Sequence, residues 1–442
     1  MGRFNLLGGP LAFALVTLIS TTVPAQRLAL APAAKPGATE KPKSTEWHQW
    51  RGPNRDGISP EKNLLQEWPA GGPPLAWRTQ GLGGAFSSVA VWDGRLFTMG
   101  NREGGTFLIA LSAADGKELW ATKVGGGDRP NCTPTVDGDL VYAITFGGDL
   151  LCARTANGEE VWRKNFGNDF GGRMMSGWGY SESPLVDGDT LVCTPGGQDA
   201  MLVGLNKRSG EKLWSTKMPA EIGDKGQDGA GYASVVISHA AGTRQYITFV
   251  GRGIVGVDTK DGNLLWHYNK IANGTANIPT PLINDNLVFC SSGYGDGGSA
   301  LLKIGGRGTK LESQEVYYFD ARKMQNHHGG MILLDQFIYM GHGHNQGFPM
   351  CVELKSGEVA WAPGRGAGKG SAAVSFADGH LYFRYEDGVM ALIKADPKEY
   401  QLKGQFELPS KLDRSWSHPA ISGGKLYLRD QDVLLCYDIK RK

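Results

Sequence analysis

The sequence predicts an all-β chain, an eight-bladed β-propeller of four-stranded antiparallel blades. Three observations predict it. Glycine stands at about twice its usual share, with 65 Gly and 22 Pro in 442 residues. A hairpin signature recurs along the chain, and a second signature, a Gly turn followed by a Trp-bearing strand, alternates with it. With 40% hydrophobic residues there is material for a large core, and the turn residues point to few long helices.

At the start of the chain, Arg3 precedes an apolar run from Leu11 to Ile19 and the small-residue stretch Val23-Pro24-Ala25. That order is the order of an export signal, expected over residues 1–25 with cleavage before Gln26. The run is short for a bilayer span, which makes a membrane anchor the weaker reading. The first cysteine is Cys132, so a lipidated cysteine near the cut is missing and the mature form is expected to be unanchored. Residues 26–46, rich in Ala, Pro and Lys, read as a disordered linker. Residues 47–72 read as an irregular leader whose Trp47, Trp50, Arg51 and Arg55 dock on the propeller as a lid or side brace.

The propeller is expected over residues 73–442. Its first signature appears as SSVAVWDGRLF, TPTVDGDLVY, SPLVDGDTLV, TPLINDNLVF, AAVSFADGHLYF and HPAISGGKLYL. Asp-Gly and Gly-Gly allow the positive φ angles of tight turns, so each pair should be antiparallel neighbours. The second signature ends at Trp120, Trp162, Trp214, Trp266 and Trp361, with Trp-less variants in LKIGGRGTKLESQEVYY and LIKADPKEYQLKGQF. Counting the divergent hairpins ASVVISHAAGTRQYI and GMILLDQFIYM gives eight units between Ser87 and Leu428. Their spacing is about 46 residues, in the range of four-stranded blades. The last copy, LLCYDIKRK, has no Trp strand, whereas PPLAWRTQ is a Trp strand without a repeat. Leu75 to Thr79 is therefore expected to complete the last blade and cover its edge.

Composition also excludes some functions. The net charge is +2 and the basic residues are scattered through turns, which argues against nucleic acid as a partner. Cys152, Cys351 and Cys436 occupy matching places in different blades, Cys193 and Cys290 another strand type, and Cys132 precedes an inner strand. They are expected to be buried free thiols.

The tandem units resemble the pyrroloquinoline-quinone-like (PQQ-like) propeller repeat. The leader WHQWRGPNRDGIS with WPAGGPPLAWR is similar to the entry segment of secreted bacterial proteins that carry this repeat. The resemblance covers residues 47–442 and implies a periplasmic or extracellular protein. Quinone dehydrogenases of this superfold hold the cofactor over the central channel with calcium, a stacking Trp and a disulfide between adjacent cysteines. This chain has no Cys-Cys pair. The chain is also similar to the propeller lipoprotein of the outer-membrane barrel-assembly machinery, which grips a partner, although it lacks the lipidated cysteine. The resemblance thus implies a monomeric, non-catalytic scaffold for an envelope or secreted protein partner, with no resident cofactor. A PQQ- or metal-dependent oxidoreductase or sensor is the alternative.

Topology selects the face where binding is expected. Connections from each outer strand to the next inner strand, and turns between second and third strands, emerge together, and such loops carry function in repeat folds. They contribute Arg129, Asn131, Arg173, Trp178, Tyr180, Glu182, Asp228, Tyr232, Asn277, Arg414 and Trp416, of the types that bind protein or glycan. His327, His328, His342 and His344 fall on two loops of the sixth blade. With Asp296 as a further ligand they form a candidate zinc or copper site. No nucleophile, base and orienting group can be placed by spacing. His418 is read as structural beside Ser417, because Thr-Pro and Ser-Pro stand at the equivalent place elsewhere. Glu182 and Asp228 remain a candidate carboxylate pair. Asp137-Gly-Asp139 and Asp187-Gly-Asp189 are hairpin turns before they are calcium loops.

Overall fold

A computed structural model describes residues 46–219 and 221–442; the expected export signal and nearly all of the linker lie outside the described residues. Strands rich in apolar residues on both faces need cover on both, and a ring of sheets supplies it. Leu140–Ile144, Gly253–Asp258 and His380–Tyr385 are buried along their whole length. In blade 1 the strands Ala90–Trp92, Arg95–Arg102, Gly105–Ser112 and Glu118–Gly125 run antiparallel from the axis to the rim. Seven more sheets repeat this order, with first strands Thr135–Asp137, Leu185–Asp187, Val236–Ser238, Leu282–Asn284, Met331–Leu334, Ala372–Ala377 and Ala420–Ser422. The result is the expected eight-bladed propeller. Leu75–Thr79 pairs antiparallel with Val433–Asp438 as the outer strand of blade 8, Trp77 opposite Cys436.

The Trp signature has a single physical basis. Each such Trp lies across from a small residue of the third strand: Trp120 opposite Ala110, Trp162 opposite Cys152, Trp214 opposite Gly204, Trp266 opposite Gly256 and Trp361 opposite Cys351. The indole fills the vacated space; a Cβ on Gly204 or Gly256 would overlap it. The ring then reaches the next blade. Trp77, Trp120, Trp162 and Trp361 donate Nε1–H to the carbonyls of Ala113, Thr155, Lys207 and Asp396, at 3.2, 3.2, 3.0 and 2.8 Å. At the receiving turn Gly158 (φ +74°) lies against Trp120 with no room for a side chain. Blade 5 has no Trp, and Tyr317 replaces it, donating to Leu354 O at 2.8 Å. Between blades 7 and 8 the leader's Trp68 packs on Gly404, Tyr382 and Phe406.

Every outermost strand also carries a β-bulge beside this position. The bulge twists the rim strand and interrupts its outer hydrogen-bonding edge.

Residues 47–61 lie on the axis side of the first strands. Those strands would otherwise present unpaired N–H groups to the channel. Val91 N donates to Trp47 O, Val136 N to His48 O and Phe376 N to Gly57 O, each at 2.8 Å. Ile58–Ser59 adds a short parallel strand inside Ala372–Ala377. Arg55 donates to Ser183 O and Pro184 O at 2.6 and 3.0 Å, and Arg51 to Asp56 O at 3.0 Å and to Met331 O. Both guanidiniums are buried, which lowers them to about 10 and leaves them charged at neutral pH. The chain then leaves the axis past the first hairpin turn of blade 8, where Glu61 accepts from Gly423 N and Gly424 N. Leu64 bridges to Lys440 before the segment reaches the rim at Leu75.

Candidate functional site

The loops from outer to next inner strands, and the turns between second and third strands, surround a cavity of about 800 Å³ on one face of the disc. Trp50 and Arg51 of the leader form part of its wall. Trp50 Nε1 donates to Thr280 Oγ1 at 3.4 Å, and its ring meets His418 edge-on at 4.5 Å. The cavity is thus a cup walled by loops of the blades and by the leader, with the half-exposed Trp178 at its open edge.

Of the residues expected on this face, Arg129, Asn131, Trp178, Tyr232, Arg414 and Trp416 line the cup. Phe86 stacks on Trp416 (4.4 Å, 21°), and the Arg129 guanidinium lies 4.8 Å from the Phe86 ring while pairing with Asp413 at 2.6 Å. Asn131 donates to Trp178 O and Ser181 Oγ at 3.0 and 2.9 Å, which ties loops of adjacent blades together. Tyr232 shares a 2.6 Å hydrogen bond with Ser176 Oγ. Trp178 remains 47% exposed at the mouth, in edge contact with Trp416.

The other five do not line it. Arg173 and Asp228 form an exposed ion pair at 3.1 Å, with Arg252 on the second carboxylate oxygen at 2.8 Å. Tyr180 is buried and donates to Pro195 O at 2.9 Å. Asn277 is buried and donates to Val250 O and Gly251 O at 3.1 and 3.0 Å. Glu182 is only 2% exposed and accepts from Thr194 N; burial raises its carboxyl to about 7. Tyr180, Glu182 and Asn277 turn back onto the blades, where each hydrogen-bonds a backbone group. Glu182 and Asp228 therefore do not form a carboxylate pair.

The four histidines do not form the expected metal centre. His327, His328 and His344 line the cup, but His342 turns away and accepts from Gln325 N at 3.2 Å. His327 and His344 stack face to face at 4.3 Å, and the nitrogens of His327 engage Ser371 Oγ at 2.7 Å and Tyr294 Oη at 3.2 Å. Asp296 accepts from Gly274 N at 2.9 Å. Stacked rings direct their lone pairs outward, not at one point, and among the described residues no three His, Cys, Asp or Glu side chains form a metal-binding group.

Calcium-assisted quinone chemistry does not fit the donor set either. The lining carboxylates are engaged, Asp413 by the Arg129 guanidinium, Asp128 by Arg129 N at 2.6 Å and Glu386 by Ser371 N at 3.3 Å.

The sequence reading missed Trp50, Arg51, Phe86, Phe146, Tyr294 and His418, all of which line the cup. For His418 the signal was present: it replaces the Thr or Ser that precedes proline in other blades. It contacts the Arg51 guanidinium at 3.5 Å and His328 O at 3.2 Å. Burial holds its imidazole at about 3, as it holds His328 at about 3 and His327 at about 2, so all three are neutral at physiological pH. Both ring nitrogens of His328, Nε2 of His344 and Nε1 of Trp416 are buried without a hydrogen-bond partner.

All six cysteines are buried free thiols in the positions expected for them. No helix among the described residues is long and apolar enough to cross a membrane.

Among proteins of known sequence, the chain is 31% identical over 141 residues to outer membrane protein assembly factor BamB of Burkholderia pseudomallei, covering 32% of this chain and 34% of that one. It thus spans about a third of that relative's length. Among solved structures, BamB of Moraxella catarrhalis matches with a TM-score of 0.56 at 14% identity, over 83% of this chain and 98% of that one. A quinohemoprotein alcohol dehydrogenase of Pseudomonas putida HK5 matches with a TM-score of 0.62 at 14% identity, over 90% and 81%. At such identities the structural likeness bears on the fold alone. The family model described as outer membrane protein assembly factor BamB matches residues 68–149 and 104–363, more than half of the chain, and the protein belongs to that family.

Proposed function

We propose that the protein is an exported, non-catalytic scaffold that binds an envelope or secreted protein through its loop face, centred on the mouth of the cup. The observation that carries this reading is the composition of the mouth. Trp178 stands out 47% exposed, Leu412, next to the lining residue Asp413, is 55% exposed, and the Arg414 guanidinium lies 5.9 Å from the Trp416 ring. Half-exposed Trp and Leu beside Arg on a rigid base are the anchors of protein interfaces. Membership of a family described by outer-membrane assembly supports the same reading. A scaffold requires neither ion nor chromophore, and the donor set of the cup suits neither calcium nor zinc.

The test is capture from envelope extract by the mature protein and by a Trp178→Ala, Arg414→Ala variant. The expected result is a protein retained by the first and lost by the second, with unchanged thermal melting. Equal capture by both removes the loop-face reading. Stoichiometric metal or a quinone absorbance in the purified protein would favour an oxidoreductase instead.

A further inference from the structure

The loop that carries Leu412, Arg414 and Trp416 has no hydrogen-bonded structure of its own. Among the described residues, no backbone group from Ser410 to His418 pairs with another backbone group. A segment of that kind takes its shape from whatever else engages its amides and carbonyls. Here side chains of the blades do so. Arg384, in the second strand of blade 7, donates from Nη1 to Ser417 O at 3.0 Å and from Nη2 to Ser415 Oγ, so its fork brackets Trp416. Ser415 Oγ in turn donates to the carbonyl of Arg429, in the second strand of blade 8, at 3.5 Å. Arg429 donates from Nη2 to Gly83 O at 2.7 Å and from Nε to Gln431 O. Gln431 stands in the left-handed region at φ +50°, and its side chain donates to Arg414 O at 2.7 Å and accepts from Arg129 Nη1 at 3.5 Å. Asp430 accepts from Leu412 N at 3.3 Å, and Ser88 Oγ donates to His418 O at 2.6 Å.

The two arginines depart from the repeat. Each stands two residues after a ring that meets a tryptophan, Tyr382 on Trp68 and Tyr427 on Trp77. After the corresponding rings Phe97, Tyr142 and Tyr339 the place is taken by Met99, Ile144 and Gly341. Both guanidiniums are buried, and every hydrogen-bond acceptor they use is a carbonyl or a hydroxyl. Burial lowers them to about 10 and about 9, with Asp430 opposing the shift in both, so both stay charged at neutral pH. A buried charge on neutral acceptors is a costly way to stabilise a strand whose counterparts manage with apolar or small residues. What methionine, isoleucine or glycine cannot supply is a rigid fork that reaches into the next loop.

We propose that Arg384 and Arg429 are positioning residues for the loop face: they set the shape of the 410–418 loop, and with it the places of Trp416 and Arg414, on which partner binding depends. The proposal rests on the loop-face reading above and names the residues that shape that face from behind.

The full chain is labelled with 5-fluorotryptophan, and the fluorine resonances of Trp416, Trp120 and Trp162 are assigned from their loss in the single Trp→Phe variants. In Arg384→Met and in Arg429→Met the Trp416 resonance should move or broaden while those of Trp120 and Trp162, at the seams of blades 1 and 2, stay in place. Residues that only stabilised their own blades would lower the melting temperature and leave Trp416 where it was, and that outcome overturns the proposal. Capture from envelope extract should fall about tenfold or more in Arg384→Met, and Arg384→Lys, which keeps the charge but not the fork, should recover only part of it. Full recovery with lysine would mean that charge alone matters and equally overturns it. Ser415→Ala removes the hydroxyl on which the two arginines converge and leaves both strands intact. It should show a weaker form of both effects, and it decides the matter if Arg384→Met misfolds. Capture lost in the Trp178→Ala, Arg414→Ala variant but kept in Arg384→Met and Ser415→Ala overturns the proposal and spares the loop-face reading. Capture that none of these variants changes overturns both.

Discussion

The seams between blades and the cup at their centre are built from the same residue types on opposite principles. At the seams one contact recurs: Trp77, Trp120, Trp162 and Trp361 each lie over a small residue with the indole N–H on a carbonyl of the next blade, and Tyr317 makes the same bond from blade 5. In the cup no contact is copied. Trp50, Trp178 and Trp416 come from a leader and two different loops, and the indole Nε1 of Trp416 is left unpartnered. The difference teaches that repetition marks what holds the ring together, whereas departure from repetition marks where the ring meets something else.

The sharpest way to break this comparison is to remove a seam. Deleting residues 73–80 takes away Trp77 and the outer strand of blade 8, and with them the junction to blade 1. Loss of one such Trp alone costs about 3–5 kcal/mol, so the whole propeller should melt at a much lower temperature or lose its cooperative transition. An unchanged melting curve would show that the ring does not depend on its clasp.

Acid should act next most strongly, and at the centre. The imidazoles of His327, His328 and His418 sit at about 2, 3 and 3, against an ordinary 6.5. Between those values the unfolded chain binds more protons than the folded one, so stability falls as pH drops below 6.5. Glu182 has the opposite sign: raised to about 7 from 4.5, it loses its contribution as pH rises through that window. Three imidazoles outweigh one carboxyl, and the net loss between pH 7 and pH 5 should be on the order of a few kcal/mol. Thermal melts across this range check the sign, and His328→Gln should flatten the dependence.

A smaller effect separates the two regions within one residue type. Gly204→Ala pushes a methyl into the Trp214 ring and should cost about 1–3 kcal/mol. Gly177→Ala, at the cup where nothing lies within 4 Å of an added Cβ, should stay within about 0.5 kcal/mol in denaturant unfolding. Equal costs would mean that the seams are not specially packed. Trp178→Ala should likewise leave stability within about 0.5 kcal/mol while abolishing capture of a partner.

The repeat made the blades and their closure by Leu75–Thr79 legible, because Asp-Gly turns and Trp strands state local geometry directly. Legibility declined toward the axis. Arg129, Asn131, Trp178, Tyr232, Arg414 and Trp416 were placed on the cup by topology alone, but topology does not say which way a loop residue turns. Tyr180, Glu182 and Asn277 turn inward because buried carbonyls and amides near them need partners. The histidines were gathered correctly at one edge and misread as ligands, since spacing does not reveal that His327 and His344 stack. The leader was the hardest to read. It has no periodicity, and its place depends on the unpaired edges of first strands that exist only once the ring has formed.

Trp50 and Arg51 belong to the wall of the cup, so the segment that braces the inner strands also shapes the recess above them. The half-exposed Trp178 and the exposed Arg414 mark a doorway to it. A macromolecule seated over that doorway would slow the departure of anything held in the recess, without touching it, and the departure rate would report whether the doorway is covered.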